Sequence, residues 1–373
     1  MRNGALRVAV IGCGNISGPY GETMGAYPAI EIAGATDVDR ALSAEFVERF
    51  GGIDYPSLDE LLADGDVDAV LNLTSHGVHA QVTTAALDAG KHVHSEKPLA
   101  ASYREAQSLV DLANARGVRL SCSPITFMGD AQEEAWRLIA ANAIGTVRVA
   151  YAEVNWSRIE TWHPRPEPFY RIGPLADVGV YPLTILTAMF GPARRVTAFA
   201  RIVFPDRVSM SGEPFTVGAP DFGVAIVELE GGLIVRLTTS FYVMQHSRQR
   251  GIEFHGDDGS LFLSSWQEFD APLELVLNGE APKRVALPHA FRGTDWGRAL
   301  DELSSAIEEE RPHRATGAHA AHVVEILDAI VMSADEGRPV EVLSSFERPP
   351  VPEPRVVDEV SGNGTGRDGA ASS

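Results

Sequence analysis

The chain is short of cysteine, of positive charge and of long apolar runs, and each shortage excludes something. Only Cys13 and Cys122 occur among 373 residues. No disulfide framework and no cysteine-based zinc spacing can be built from them, and both read as reduced packing residues. Lys and Arg number 31 against 51 Asp and Glu, a net charge of -20. Contact with a phosphate backbone needs clustered cations, so nucleic acid is excluded as a partner. Anionic membrane surfaces should repel such a chain. The apolar run at 6–11 is too short for a signal peptide or a membrane span, which makes the cytoplasm the expected location.

Hydrophobic residues make up 45% of the chain, enough for two cores at this length. In the first 120 or so residues, short β-branched runs at 6–11, 30–36, 69–73, 93–95 and 118–121 alternate with helical patterns at 41–50, 80–89 and 103–116. That alternation predicts βαβ units and a parallel sheet. Beyond about residue 125 the period changes. Longer strands are expected at 147–156, 196–204, 223–230, 233–241 and 251–255, with Gly231-Gly232 as a two-residue hairpin turn. Helices at 296–309 and 318–334 follow, the second with Ala320, Val323, Val324, Leu327, Ile330 and Val331 on one stripe. The expected architecture is α/β: an N-terminal Rossmann parallel sheet at 1–124, then an α/β unit at 125–348 with a large, mostly antiparallel sheet. Residues 349–373, rich in Pro, Gly and Ser, are expected to form a disordered tail.

Gly12-Cys13-Gly14-Asn15-Ile16-Ser17 directly follows the first strand. Gly12 permits a tight turn, Gly14 lets backbone approach a pyrophosphate, and Ser17 supplies the third small position. The N–H groups at Asn15 and Ile16 would open the next helix toward an anion. Asp37 lies about 23 residues past Gly14, near the ~20 expected for the acid that holds a ribose. It favours NAD by repelling a 2′-phosphate. Asp39 suits the cap of the next helix better than Asp37 does, and Arg40 can still meet a phosphate, which leaves NADP possible.

Two further segments are distinctive: Ala89-Gly90-Lys91-His92-Val93-His94-Ser95-Glu96-Lys97-Pro98-Leu99-Ala100, and Asp177-Val178-Gly179-Val180-Tyr181-Pro182. With the glycine turn, they resemble the Gfo/Idh/MocA oxidoreductases from residue 6 to about 345. The resemblance implies NAD or NADP as cofactor, a sugar or polyol substrate, and homodimers or homotetramers paired through the large sheet. It places Glu96, Lys97 and Pro98 near the nicotinamide, often with a cis Lys-Pro bond, and Thr74, Ser75 and His79 near its ribose. It makes Lys97 the catalytic lysine and Asp177 the first acid of an Asp-x-Gly-x-His pattern. Tyr181 stands where many members carry His, though Tyr occurs there too.

The residue chemistry agrees with hydride transfer to or from a secondary alcohol. Such a reaction moves a proton at oxygen, and a Lys⁺ beside Tyr181 should lower its phenol toward phenolate. Asp177 would orient Lys97 or the substrate. Lys97 itself, deprotonated by desolvation, is the other candidate base. On the substrate side, Trp162 and Tyr170 are expected to stack on a sugar, with Arg158, His163 and Arg165 bonding hydroxyls. His76 and His79 lie one turn apart but lack a completing carboxylate or cysteine, so no metal is expected. Two other functions fit the same sequence: an NAD-dependent glycoside-cleaving enzyme that oxidises its sugar transiently, and a non-catalytic cofactor-binding regulator.

Overall fold

The computed structural model describes residues 4–244, 247–288 and 290–353. Six strands build the first sheet: β1 (Leu6–Ile11), β2 (Ile30–Thr36), β3 (Ile53–Asp54), β4 (Ala69–Asn72), β5 (His92–Ser95) and β6 (Leu120–Cys122). All pair in parallel, in the order β3-β2-β1-β4-β5-β6. Helices cover both faces, so β1 carries apolar residues on both sides: Leu6, Val8, Ala9 and Val10 are all inaccessible. The helices are α1 (Ser17–Met24), α2 (Arg40–Phe50), α3 (Leu58–Ala63), α4 (His79–Asp88) and α5 (Tyr103–Arg116). Asp39 caps α2 by accepting from the Ala41 N–H, as its position suggested. Ser102 caps α5 in the same way, and Gly117 ends it at φ 67°. The strand order reverses between β1 and β4, and the crevice at that reversal is where such sheets bind ligands.

The second sheet has nine strands. It is built from β7 (Val147–Asn155), β8 (Ala193–Arg201), then, after a separate ribbon of β9 (Asp206–Val208) and β10 (Pro214–Thr216), β11 (Phe222–Leu229), β12 (Ile234–Ser240), β13 (Gly251–Gly256), β14 (Gly259–Leu263), β15 (Leu273–Leu277), β16 (Lys283–Arg284) and β17 (Val340–Glu341). Its order is β16-β15-β14-β13-β7-β12-β11-β8-β17, antiparallel except for β7 beside β12. Alternation gives it one buried face: Ala225, Val227 and Leu229 point inward while Ile226 points out. The β11–β12 hairpin closes differently from the two-residue expectation. Leu229 N–H donates to Leu233 O at 3.0 Å and Gly232 N–H to Leu229 O at 2.9 Å, making a three-residue loop with Gly232 at φ 84°. A glycine pair serves either loop, and here only the second glycine takes the left-handed conformation.

Helices α6 (Asp130–Ala140), α7 (Glu167–Pro174) and α8 (Val180–Phe190) cover the inner face, and a π-helical turn at Leu175–Gly179 joins α7 to α8. Helix α9 (Arg298–Glu308) and helix α10 (Gly317–Glu336) close the chain. Two of these segments, Glu167–Phe190 and Gly317–Glu336, are long and apolar enough to cross a membrane, yet their most apolar windows are 83% and 61% buried within the protein. Both act as core helices here. The α10 stripe is wider than expected because the helix packs on both α5 and β8. Ile326 is buried, while Val331, placed on the stripe from sequence, is 52% exposed.

The sequence boundary at 124 follows the end of β6, but the two units are not consecutive in space. Leu300 and Leu303 of α9 pack with Val8, Tyr20 and Met24 in the first unit, and Ala321 and Val324 of α10 pack with Leu109 and Ala113. Of the expected tail, residues 349–353 lie along a groove beside Gly117, Arg119 and His313, and residues 354–373 fall outside the described residues.

Candidate active site

The glycine turn emerges from β1 at the reversal point. Gly12 sits at φ 92°, and a Cβ there would lie 2.8 Å from the Leu73 carbonyl carbon, so only glycine fits. A Cβ at Gly14 would meet nothing within 4 Å, so the turn faces open space rather than protein. Ser17 closes it by donating its Oγ hydrogen to Gly14 O at 2.8 Å. Asp37 reaches over from the end of β2, where one carboxylate oxygen accepts from Cys13 N–H at 2.6 Å and the other from Asp39 N–H at 2.8 Å. Both oxygens keep a lone pair for further donors. An open glycine turn, the N-terminus of α1 above it and a pinned carboxylate beside it match the donors and acceptors of a dinucleotide. Arg40 stands at the same edge, near enough for its charge to act on Cys13. Its guanidinium pairs with Asp54 at 2.6 Å and donates to Tyr55 O, with 42% of the side chain still exposed. Both cysteines are buried free thiols, as the composition implied. Burial, aided by Asp37 and Asp54, pushes Cys13 up to about 12.

The loop after β4 holds the other expected cofactor contacts. Thr74 N–H and Oγ1 both bond Asn72 Oδ1, at 3.2 and 2.7 Å, and Ser75 is exposed at the start of a single 3-10 turn. His79 corrects the sequence reading. Its ring is buried with Nδ1 2.9 Å from Pro98 O and Nε2 2.8 Å from Thr74 O. It therefore ties this loop to the Lys97 segment instead of facing outward. His76 is the neighbour that faces the site. Burial first, and then the Lys97 charge, hold it down at about 4, so it is neutral.

Lys97 and Asp177 meet as the sequence reading proposed. The Lys97-Pro98 bond is cis. Lys97 Nζ donates to Asp177 Oδ1 at 2.9 Å and to Asp177 O at 2.5 Å, with both side chains almost fully enclosed. Asp177 sits within the π turn, a departure from regular helix that recurs at functional sites. Nζ lies 5.3 Å from the centre of the Tyr181 ring, over its face. The Tyr181 hydroxyl has no protein partner among the described residues. Glu96 looks inward: its Oε1 accepts from Tyr20 Oη at 2.8 Å and its Oε2 from Lys97 N–H at 3.1 Å.

The electrostatics overturn two expectations. Tyr181 is not drawn toward phenolate. Burial raises it most; Lys97 lowers it, but Glu96 and Asp177 raise it again, and its pKa ends well above that of an ordinary tyrosine. For Lys97, burial favours the neutral amine, yet Asp177, Tyr181 and Glu96 together outweigh it and hold the ammonium above the usual lysine range. Desolvation therefore does not make Lys97 a neutral base.

The substrate residues are only partly as expected. Trp162 is 42% exposed and available for contact. Tyr170 is buried, its hydroxyl bonded to Glu160 and accepting from Arg207 Nη1 at 2.8 Å, so it is a core residue and not a sugar platform. His163 turns Nδ1 into its own loop, accepting from Arg165 N–H at 3.1 Å. Arg158 lies against the Phe204 and Tyr242 rings. The aromatic row that does reach the site is one the motifs missed: Tyr181 packs on the buried Trp266 at 4.9 Å between ring centres, and Trp266 on Trp156 at 5.3 Å. Trp266 lies 85 residues from Tyr181, between β14 and β15, and no local pattern marks it. Among the described residues no His, Cys, Asp or Glu cluster is able to hold a metal.

This arrangement has close counterparts. Residues 6–123 match the model of the oxidoreductase family with an NAD-binding Rossmann fold, and residues 133–262 match the C-terminal domain of the same Gfo/Idh/MocA group. A dTDP-3,4-didehydro-2,6-dideoxy-alpha-D-glucose 3-reductase of Streptomyces violaceoruber is 31% identical over 86% of this chain and 97% of its own length. The crystal structure of an NAD binding oxidoreductase from Klebsiella pneumoniae superposes with a TM-score of 0.81 at 21% identity, covering 92% of this chain and 100% of that one. A Bordetella pertussis dehydrogenase, solved with NADH and UDP-GlcNAcA, does so at 0.77 and 19% identity, covering 92% and 99%. The chain belongs to the Gfo/Idh/MocA family of nicotinamide-dependent, sugar-related oxidoreductases.

Proposed function

We propose that the protein transfers a hydride between a nicotinamide dinucleotide and a secondary alcohol carbon of a sugar or polyol, and that NAD is preferred over NADP. The observation that carries this reading is the enclosed Lys97–Asp177 pair against the Tyr181 face, at the mouth of the crevice that starts at Gly12 and Gly14. The dinucleotide supplies or accepts the hydride. Asp177 fixes the Lys97 ammonium through two of its hydrogens, and the third is free to bond the substrate oxygen. The Tyr181 hydroxyl offers a second donor to the same oxygen. Both groups hold their protons at neutral pH, which suits delivery of a proton to a carbonyl oxygen as the hydride arrives. The set therefore favours reduction near neutrality, and alcohol oxidation only in alkali. The carboxylate of Asp37 supports the preference for NAD. We further propose a cytoplasmic homo-oligomer; Phe199, Ile226 and Ile234, exposed on the outer sheet face, support pairing there.

The test is a panel of ketoses and keto-cyclitols at about pH 7, and the matching alcohols at about pH 10, followed by cofactor absorbance with NAD and NADP. Lys97→Ala should abolish turnover while keeping NAD affinity close to wild type. Ordinary turnover in that variant would remove the reading.

A further inference from the structure

Beyond β7 and β12, five side chains form an alternating stack of rings and guanidinium groups: Tyr170, Arg207, Phe204, Arg158 and Tyr242. Arg207 Cζ lies 4.4 Å from the Tyr170 ring centre and 5.2 Å from that of Phe204. Arg158 Cζ lies 5.0 Å from Phe204 and 4.6 Å from Tyr242. The two cations share this setting but differ in their anions. Arg207 is fully buried and fully compensated, with Asp221 Oδ2 at 2.5 Å and Glu160 Oε1 at 2.9 Å. Arg158 is half-buried, no carboxylate of the described residues lies within 4.0 Å of it, and its enclosed Nε has no acceptor.

Rings that hold a guanidinium by its faces leave its edge free, and that edge is a planar fork matched to a carboxylate or a phosphoryl group. The two Nη atoms of Arg158 are not enclosed and make no bond to the described residues, so this edge is open to such a ligand.

The position of Arg158 links it to the reacting centre. The π turn that carries Asp177 rests on β12, where a Cβ at Gly179 would stand 3.0 Å from Thr239 Cγ2. One residue further along β12, Ser240 O accepts from Trp156 N–H at 2.9 Å. Trp156 is the outer, partly exposed member of the aromatic row that begins at Tyr181. Ser157 then takes φ 70°, a conformation a non-glycine residue adopts only when held there, and its N–H donates to Val243 O at 3.0 Å. Arg158 follows. A sugar with its reacting oxygen at Lys97 and extending toward the partly exposed Trp156 would approach this fork.

We propose that Arg158 is the receptor for an anionic group, phosphoryl or carboxylate, carried by the substrate. The inference rests on the dehydrogenase reading for where the sugar lies. Its test is calorimetric titration of the NAD-saturated protein with D-glucose, D-glucose 1-phosphate and D-glucuronate. A charged sugar should bind wild type about tenfold or more tightly than glucose. In Arg158→Gln the ratio should fall toward one, and Arg158→Lys, which keeps the charge without the fork, should retain part of it. Whether the phosphate or the carboxylate gains the advantage identifies its source. NAD binding by each variant reports that it is folded. The proposal is overturned if neither charged sugar outbinds glucose, or if the preference survives in Arg158→Gln. A charge preference without cofactor-linked turnover in either direction would sink the dehydrogenase reading and leave the anion receptor standing. Turnover of neutral sugars with no charge preference would do the opposite.

Discussion

Replacing Asp177 with Asn keeps the size and the carbonyl contact at 2.5 Å but removes the charge 2.9 Å from Lys97 Nζ. Both side chains are nearly enclosed, at 12% and 9% exposure, so solvent screens the pair little. An opposite charge at such a distance moves a pKa by roughly one to three units, or about 1.4 to 4 kcal/mol. Asp177 raises both Lys97 and Tyr181, so its loss should lower both. The proton acceptor for alcohol oxidation then becomes available at lower pH. In wild type, kcat/KM for oxidation should keep climbing through about pH 10. In Asp177→Asn the rise should move roughly one to three units toward neutrality, with a smaller plateau because the ammonium is less firmly aimed. The assay is kcat/KM from about pH 6 to 11 at saturating cofactor, with apparent values assigned to the coupled set rather than to one group. An unshifted profile, with only the plateau reduced, would refute the electrostatic role of Asp177.

Three more outcomes follow. Asp37→Ala should weaken NAD more than NADP in equilibrium titrations, because the carboxylate that meets a ribose diol also repels a 2′-phosphate; equal losses would contradict the NAD preference. Tyr170→Phe strips a buried hydroxyl from Glu160 and from Ile159 N–H, and should cost about 1–3 kcal/mol in denaturant unfolding with little change in sugar KM. A raised KM at unchanged stability would restore Tyr170 as a sugar platform. Burial holds His94 and His319 down at about 3, against 6.5 in the unfolded chain. The unfolded state takes up these protons first, so stability is full above about pH 6.5 and falls as pH drops toward 3, by roughly 2 kcal/mol per histidine at pH 5. Thermal melts of His94→Gln should lose less between pH 7 and 5 than wild type; equal losses would refute that account.

What the sequence made legible is what depends on near neighbours in the chain. The glycine turn, the Asp39 cap, the parallel strands and the Lys97 and Asp177 segments all follow from short spacings that backbone geometry dictates. The two-residue β3 and the short helices α1 and α3 have too few turns to show a period. The misplacements were tertiary. Tyr170 looked like an exposed aromatic because its partner Arg207 comes from a ribbon 37 residues away. Tyr181 looked like a phenolate because Lys97 was visible as a neighbour, whereas the enclosure that outweighs it was not. His79 was placed beside the cofactor by a motif, but the carbonyls of Thr74 and Pro98 claim both of its nitrogens.

The return of Leu300, Leu303, Ala321 and Val324 to the first unit has a consequence for how the chain is made. A ribosome that has delivered only the first six strands has not yet supplied the side chains that seal their hydrophobic centre. A fragment ending near residue 124 should emerge sticky and bind dinucleotide poorly, and maturation of the nucleotide-holding half must wait until almost the whole polypeptide has left the exit tunnel.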